Sequence, residues 1–313
     1  MDYSIKEQPH KELLNREESV RLADKIYRSQ LDVLADMVNY GSNLITRALI
    51  SSAKGHTEAV VIGVLLKQVI AMLDATEVLL RNGIAYASLL QARAAFEASL
   101  YIDWILSSDS QNKARHYLVA NLRQERQWAK RGILGTPEHR DYEARFQTLG
   151  RNKTVSSPDI ETDAKKHLTE VNRLLEHEDF KSIDAAFEQI ASRRKNYEPD
   201  WYAPLKKTSI RQIAKEVERV PEYEIFYSRG SDVTHSGLYK DHIKFIRGRL
   251  HLRNIRHLAD AHDLLTSIMG IAVHTFQRII ETYRSGEEIA FSKKYTEDWR
   301  DSFLSVKYVQ YSG

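Results

Sequence analysis

Between Thr57 and Leu106 the sequence runs through two long apolar stretches, broken once at Asn82–Gly83. Ala, Val, Leu and Ile dominate both, and the charges within them are single and widely spaced. Strands usually run about 3–10 residues, so neither stretch fits one. Asn–Gly is a helix stop signal. The two stretches therefore read as a helical hairpin at the centre of a bundle. Thirteen Gly and six Pro in 313 residues leave little of the turn chemistry that an all-β fold needs. The expected fold class is all-α, a multi-helix bundle.

Around that hairpin, Val20, Leu22, Ile26, Leu31, Leu34, Met37, Leu44 and Leu49 recur mostly at spacings of three to five, predicting a helix over about 16–53. Gly41–Ser42 is expected to kink or break it. Thr57 is the expected N-cap of the next helix. After helices over 57–81 and 84–106 comes a more polar one over 111–131, ended by Gly132 and Gly135. Thr136–Pro137–Glu138 and Ser157–Pro158–Asp159 are helix starts, with Pro at the first turn and an acid beside it. From Pro137 to Arg194 short, charged helices are expected, and 196–204 (NYEPDWYAP) reads as an ordered loop. Pro221 opens another short helix. Residues 246–253 (IRGRLHLR) alternate apolar and basic side chains, which suggests an extended segment. The last strong helix is expected over 254–283, followed by a short amphipathic piece and a disordered tail. This organisation reads as a single helical domain over 1–313, with its core at about 16–131 and 205–285 and a peripheral insertion at 137–204.

Composition excludes several classes. The chain has no cysteine, so it has no disulfide, iron–sulfur cluster or thiolate zinc site, and it suits a reducing, cytoplasmic location. The first residues, MDYSIKEQPHKELLNREES, have no apolar core, and no secretory signal is expected. The best membrane candidate, Ala59–Leu80, carries Lys67, Asp74 and Glu77 and reads as a buried helix instead, so no membrane partner is expected. A net charge of +3 does not by itself imply nucleic acid. Neither GxxxxGK[ST], GxGxxG, HExxH nor GxSxG occurs, which argues against P-loop, Rossmann, zincin and α/β-hydrolase chemistry.

Three constellations could carry chemistry. Arg93 and Glu97, four residues apart, share a helix face among apolar neighbours. They are either a structural ion pair or an anion grip, with Glu97 orienting the guanidinium. Tyr227, Ser231 and His235 repeat at four, which puts two hydroxyls and an imidazole within about 80° on one helix face. That stripe is either a packing network or a site with His235 as general acid or base. Between Lys240 and His257 lie Arg247, Arg249, Arg253 and other basic residues, with Asp241 the lone acid. This is either a solvated face or a phosphate-facing surface. The histidines have no close-spaced ligand pattern, so neither metal nor cofactor is expected.

The Arg93-Ala94-Ala95-Phe96-Glu97 box and the Tyr227…Ser231…His235 box, in that order, resemble those of a large bacterial family of helical proteins. That family is a domain of unknown function, serial number fifty-six seventy-seven. The likeness covers about Gly63 to Gly237. It implies a helical fold and a shared polar site, with no established reaction. The family in turn looks somewhat like the HEPN ribonucleases of toxin and phage-defence systems. There an Arg steadies phosphate, and a His a few residues on assists attack by the ribose 2′-hydroxyl without metal. The sequence offers two such pairs, Arg229 with His235 and Arg256 with His262. A six-residue step puts two side chains about 120° apart on a straight helix, which leaves the correspondence open. Three readings follow: a HEPN-like metal-independent ribonuclease or defence effector acting on RNA; a non-enzymatic module binding a nucleotide, small anion or protein; or a scaffold. A homodimer is a further expectation.

Overall fold

The computed structural model describes residues 10–50, 56–147, 158–193, 198–228, 230, 233, 242–246 and 248–308. In chain order the helices are α1 (Arg16–Ile50), α2 (His56–Arg81), α3 (Ala85–Ser107), α4 (Ser110–Arg131), α5 (Pro137–Gln147), α6 (Pro158–Leu175), α7 (Glu178–Arg193), α8 (Ile210–Glu216) and α9 (Val220–Glu222). α9 runs directly into a π-helical turn, Tyr223–Ser228. Strands β1 (Ile243–Ile246) and β2 (Arg249–Leu252) precede α10 (Ala261–Tyr283) and α11 (Glu288–Lys294). A second π turn, Tyr295–Trp299, then leads into α12 (Arg300–Leu304). The fold is an all-α multi-helix bundle with one small hairpin.

The chain divides into two compact units. The first holds Met1–Gly55, Ile62–Ser108 and Ile213–Gly313. Its centre is α10, which packs along α3 and against α1. α10 buries Leu264, Leu265, Ile268, Met269, Phe276 and Ile280, and α3 answers with Ala92, Phe96, Leu100 and Ile102. Each of the larger side chains contributes about 1.5–3 kcal/mol by leaving water. α1 runs unbroken through Gly41, where the sequence predicted a kink or break. The glycine serves packing instead: a Cβ there would lie 2.8 Å from the Phe276 ring and 2.9 Å from Ile70. Gly83 ends α2 as expected, with a left-handed φ of 71°, and lies against Ser19.

Two boundaries differ from the sequence reading. The alternating segment does form a strand, but Ile243–Ile246 pairs with it antiparallel across Gly248, whose φ is 75°. α10 begins at Ala261 rather than 254, because the backbone just before it bonds elsewhere. Ile255 N donates to Leu13 O, and Ala85 N takes His257 O as acceptor. The short amphipathic piece expected at the head of the tail is helical and is pinned to α1 through Trp299. That indole is fully buried, donates to Asp36 Oδ2 at 2.7 Å, and meets the Tyr40 ring edge-on at 5.4 Å. By length and composition Thr57–Arg81 could cross a membrane, and 56% of its most apolar stretch is buried inside the protein.

The second unit holds His56–Val61 and Asp109–Gln212. α4 packs against α5, α6 and α7, so this helix, grouped with the core on sequence, clusters with the charge-rich helices. Its polarity has a reason. Arg123, only 2% exposed, donates from Nε to Glu198, from Nη1 to Asp184, and from Nη2 to Glu188 at 3.0 Å. Burial opposes its charge, but the three carboxylates outweigh that and hold its pKa above the ordinary range. Trp201 and Tyr202 are buried, so the Pro- and aromatic-rich loop is indeed ordered over its described part.

Replacing Arg123 with Met should cost about 1–3 kcal/mol, because Glu198 loses its counter-charge and Asp184 keeps only Arg126. Urea unfolding followed by circular dichroism measures this. A second expectation concerns His116, whose pKa burial pushes below the ordinary value, against the opposing hydrogen bond to Asn112 O. A depressed histidine pKa means the unfolded chain binds more protons, so stability is full above about pH 6.5 and declines as the pH falls through that value. His116→Gln should flatten the decline in melting temperature between neutral and acidic buffer.

Candidate functional site

The site begins with the end of α8. Glu218 adopts a left-handed φ of 59°, and Arg219 N reaches back to Ala214 O at 2.8 Å. This is the six-to-one closure of a helix C-terminus, here with a glutamate where glycine is commoner. It reverses the chain and drives the Arg219 side chain inward, where it is 5% exposed.

α3 supplies the acceptors. Phe96, Ser99 and Asp103 follow at three and four, hence on one face. The Arg219 guanidinium lies 5.1 Å above the Phe96 ring. Its Nη1 donates to Ser99 Oγ at 2.8 Å and to Asp103 Oδ2 at 2.6 Å. Nε and Nη2 grip both oxygens of Glu222, at 2.7 and 2.8 Å. Burial works against the cation, yet Glu222 and Asp103 prevail and raise its pKa further. Thr275 on α10 donates to Ser99 Oγ at 2.8 Å, which ties α10 into the same network.

Asp103 Oδ2 has a second partner, His274 Nε2, at 2.8 Å. A carboxylate accepts, so Nε2 carries the proton and Nδ1 is the basic nitrogen. The carboxyl is 9% exposed and the imidazole 48%, so a buried acid orients a solvent-facing base. One turn on, Arg278 Nε lies 4.0 Å from Asp103 Oδ1, and Nη2 donates to Leu106 O at 3.1 Å. These groups open into a cleft of about 380 Å³, whose lining also includes Glu216, Glu218, Gln277 and Glu281. The Trp104 indole fixes Glu216 at 2.9 Å.

The residues singled out in the sequence lie beside this centre. The Arg93 guanidinium sits 4.2 Å over the Tyr227 ring, which stacks on Tyr223 at 5.0 Å and 15°. Gly230 packs against the Arg93 side chain so closely that a Cβ would come within 2.8 Å. Glu97 accepts from Tyr101 at 3.0 Å. The first box thus meets the start of the second, and Phe96 stacks on Phe226 beneath them at 5.6 Å. Tyr227 belongs to a π-helical turn, so the straight-helix spacing assumed for the stripe does not apply at its start. Arg229, Ser231, His235 and Arg247 lie outside the described residues. In the basic stretch, Arg249 is exposed on β2. Arg253 closes the base of the hairpin through Ile243 O at 3.1 Å, and Arg256 donates to Asn82 O at 3.3 Å.

Asp103, Arg219, His274 and Arg278 escaped the sequence reading. Asp103 carried a signal, being the lone acid in the apolar run LYIDWIL. His274 and Arg278 carried another, a polar pair at i, i+4 on an apolar helix.

Fold and site together define a helical-bundle protein whose polar centre is built on one apolar helix and completed from far along the chain. The chain belongs to the family described as Family of unknown function (DUF5677), which it matches over residues 59–246. No curated protein and no solved structure matches it.

Replacing Arg219 with Met should destabilise the fold by about 3–5 kcal/mol, since Asp103 would stay buried with its main counter-charge removed. Chemical denaturation checks this, the midpoint falling while the m-value holds.

Proposed function

We propose that the protein acts on a phosphodiester of RNA in the Asp103–His274 cleft, with His274 as the general base. The observation that carries this is a half-exposed imidazole held by a buried carboxylate, one helical turn from an arginine in the same cleft. His274 Nδ1 would accept the proton of a ribose 2′-hydroxyl, whose oxygen then attacks phosphorus as the P–O5′ bond breaks, leaving a 2′,3′-cyclic phosphate and a 5′-hydroxyl that takes its proton from water. Arg278 would bear the phosphate charge. Gln277 and Glu281 would take hydrogen bonds from base amino groups. The reading keeps the chemistry of the HEPN-like expectation and its effector role, in the cytoplasm and in defence or as a toxin. It moves the base from His235, which lies outside the described residues, to His274.

One observation favours binding without turnover. Glu216, Glu218 and Glu281 line the cleft, and carboxylates repel a long polyanion. A single nucleotide suits that lining better than an extended strand. Labelled RNA incubated with the protein in EDTA separates the cases. Cleavage by wild type should fall about 100-fold or more in His274→Ala and persist in His235→Ala. The opposite pattern returns the base to His235 and sinks this assignment. If no RNA is cut but titration calorimetry finds nucleotide binding that Arg278→Ala abolishes, the protein is a binding module.

A further inference from the structure

One stripe of α2 is left uncovered. Val64, Lys67, Ala71, Asp74 and Val78 are all exposed, the two valines by 53% and 51%. Their spacings alternate three and four, the repeat with which one helix seats against another. All five lie in the first unit. Two uncovered valines on one seam of so apolar a helix mark a surface suited to a partner.

The order of residues says which partner. From either end the stripe reads valine, charge, alanine, charge, valine, with the charges opposite in sign. Lys67 and Asp74 are about 10.5 Å apart along their own helix, too far to pair with each other. Neither has an ion-pair partner among the described residues. If two copies ran antiparallel about a two-fold axis at Ala71, Val64 would meet the partner subunit's Val78. Lys67 would meet the partner subunit's Asp74, twice over by symmetry. The small alanine at the axis would let the helices approach closely. A parallel pairing would instead oppose Lys67 to Lys67 and Asp74 to Asp74. We propose that this stripe is a self-complementary interface through which two copies of the chain associate as an antiparallel, two-fold helix pair.

Sedimentation velocity on the full-length protein tests this, with circular dichroism to confirm folding. Wild type should sediment as a dimer. Lys67→Asp and Asp74→Lys should each weaken it at least about tenfold, because each places two like-charge pairs at the seam. The double variant Lys67→Asp/Asp74→Lys should restore the dimer. A monomeric wild type overturns the proposal, as does a dimer that both single variants leave intact. So does co-flotation of a monomeric wild type with phospholipid vesicles, which would assign the stripe to a membrane surface. The surface charges involved are uncovered in the monomer, so loss of folding does not confuse the readout.

Discussion

The first unit is organised by one buried ion pair, Arg219 with Asp103. A charged side chain taken out of water is costly unless a counter-charge and hydrogen bonds meet it. Arg219 satisfies that demand by engaging Asp103, Ser99 and Glu222 together. Because these acceptors come from α3 and from the end of α9, the pair fixes the α8–α9 turn against α3. Thr275 shares Ser99, and His274 shares Asp103, so α10 is registered against α3 by the same atoms. Apolar burial along α3 and α10 supplies most of the stabilisation and little of the specificity, since such surfaces tolerate sliding. The polar centre admits one alignment.

The same pair prepares the cleft. Without Arg219, the Asp103 carboxylate would be a buried charge short of its principal counter-charge. With Arg219 on one side, Oδ2 still has room for His274, and the imidazole is held with its second nitrogen towards solvent. Stability and chemical competence therefore rest on one carboxylate. The second unit uses the same principle for structure alone: Arg123 gathers Asp184, Glu188 and Glu198 from α7 and the loop beyond it, and so orders the most polar part of the chain.

Most of the helices were legible because their signals are local. Pro137 and Pro158 begin helices, Gly83 ends one, and the apolar period marks α1, α2, α3 and α10. The misreadings share a cause. Gly41 looked like a kink because local propensity cannot see the Phe276 ring packed on it. Residues 254–260 looked helical because their backbone partners, Leu13 and Ala85, lie far off in sequence. Where the last amphipathic piece docks was equally illegible, because Asp36, which accepts the Trp299 indole hydrogen, belongs to α1.

By itself the sequence determined the helical class, the apolar character of α2 and α3, and the two short boxes that mark the family. Those follow from period and punctuation, which act within a few residues. It could not determine which polar residues meet. Asp103, Arg219 and His274 are separated by more than a hundred and by more than fifty positions, and nothing local in any of them names the other two. Only the packed bundle brings them together, because the cost of an unpaired buried charge is felt once the chain has excluded water around it.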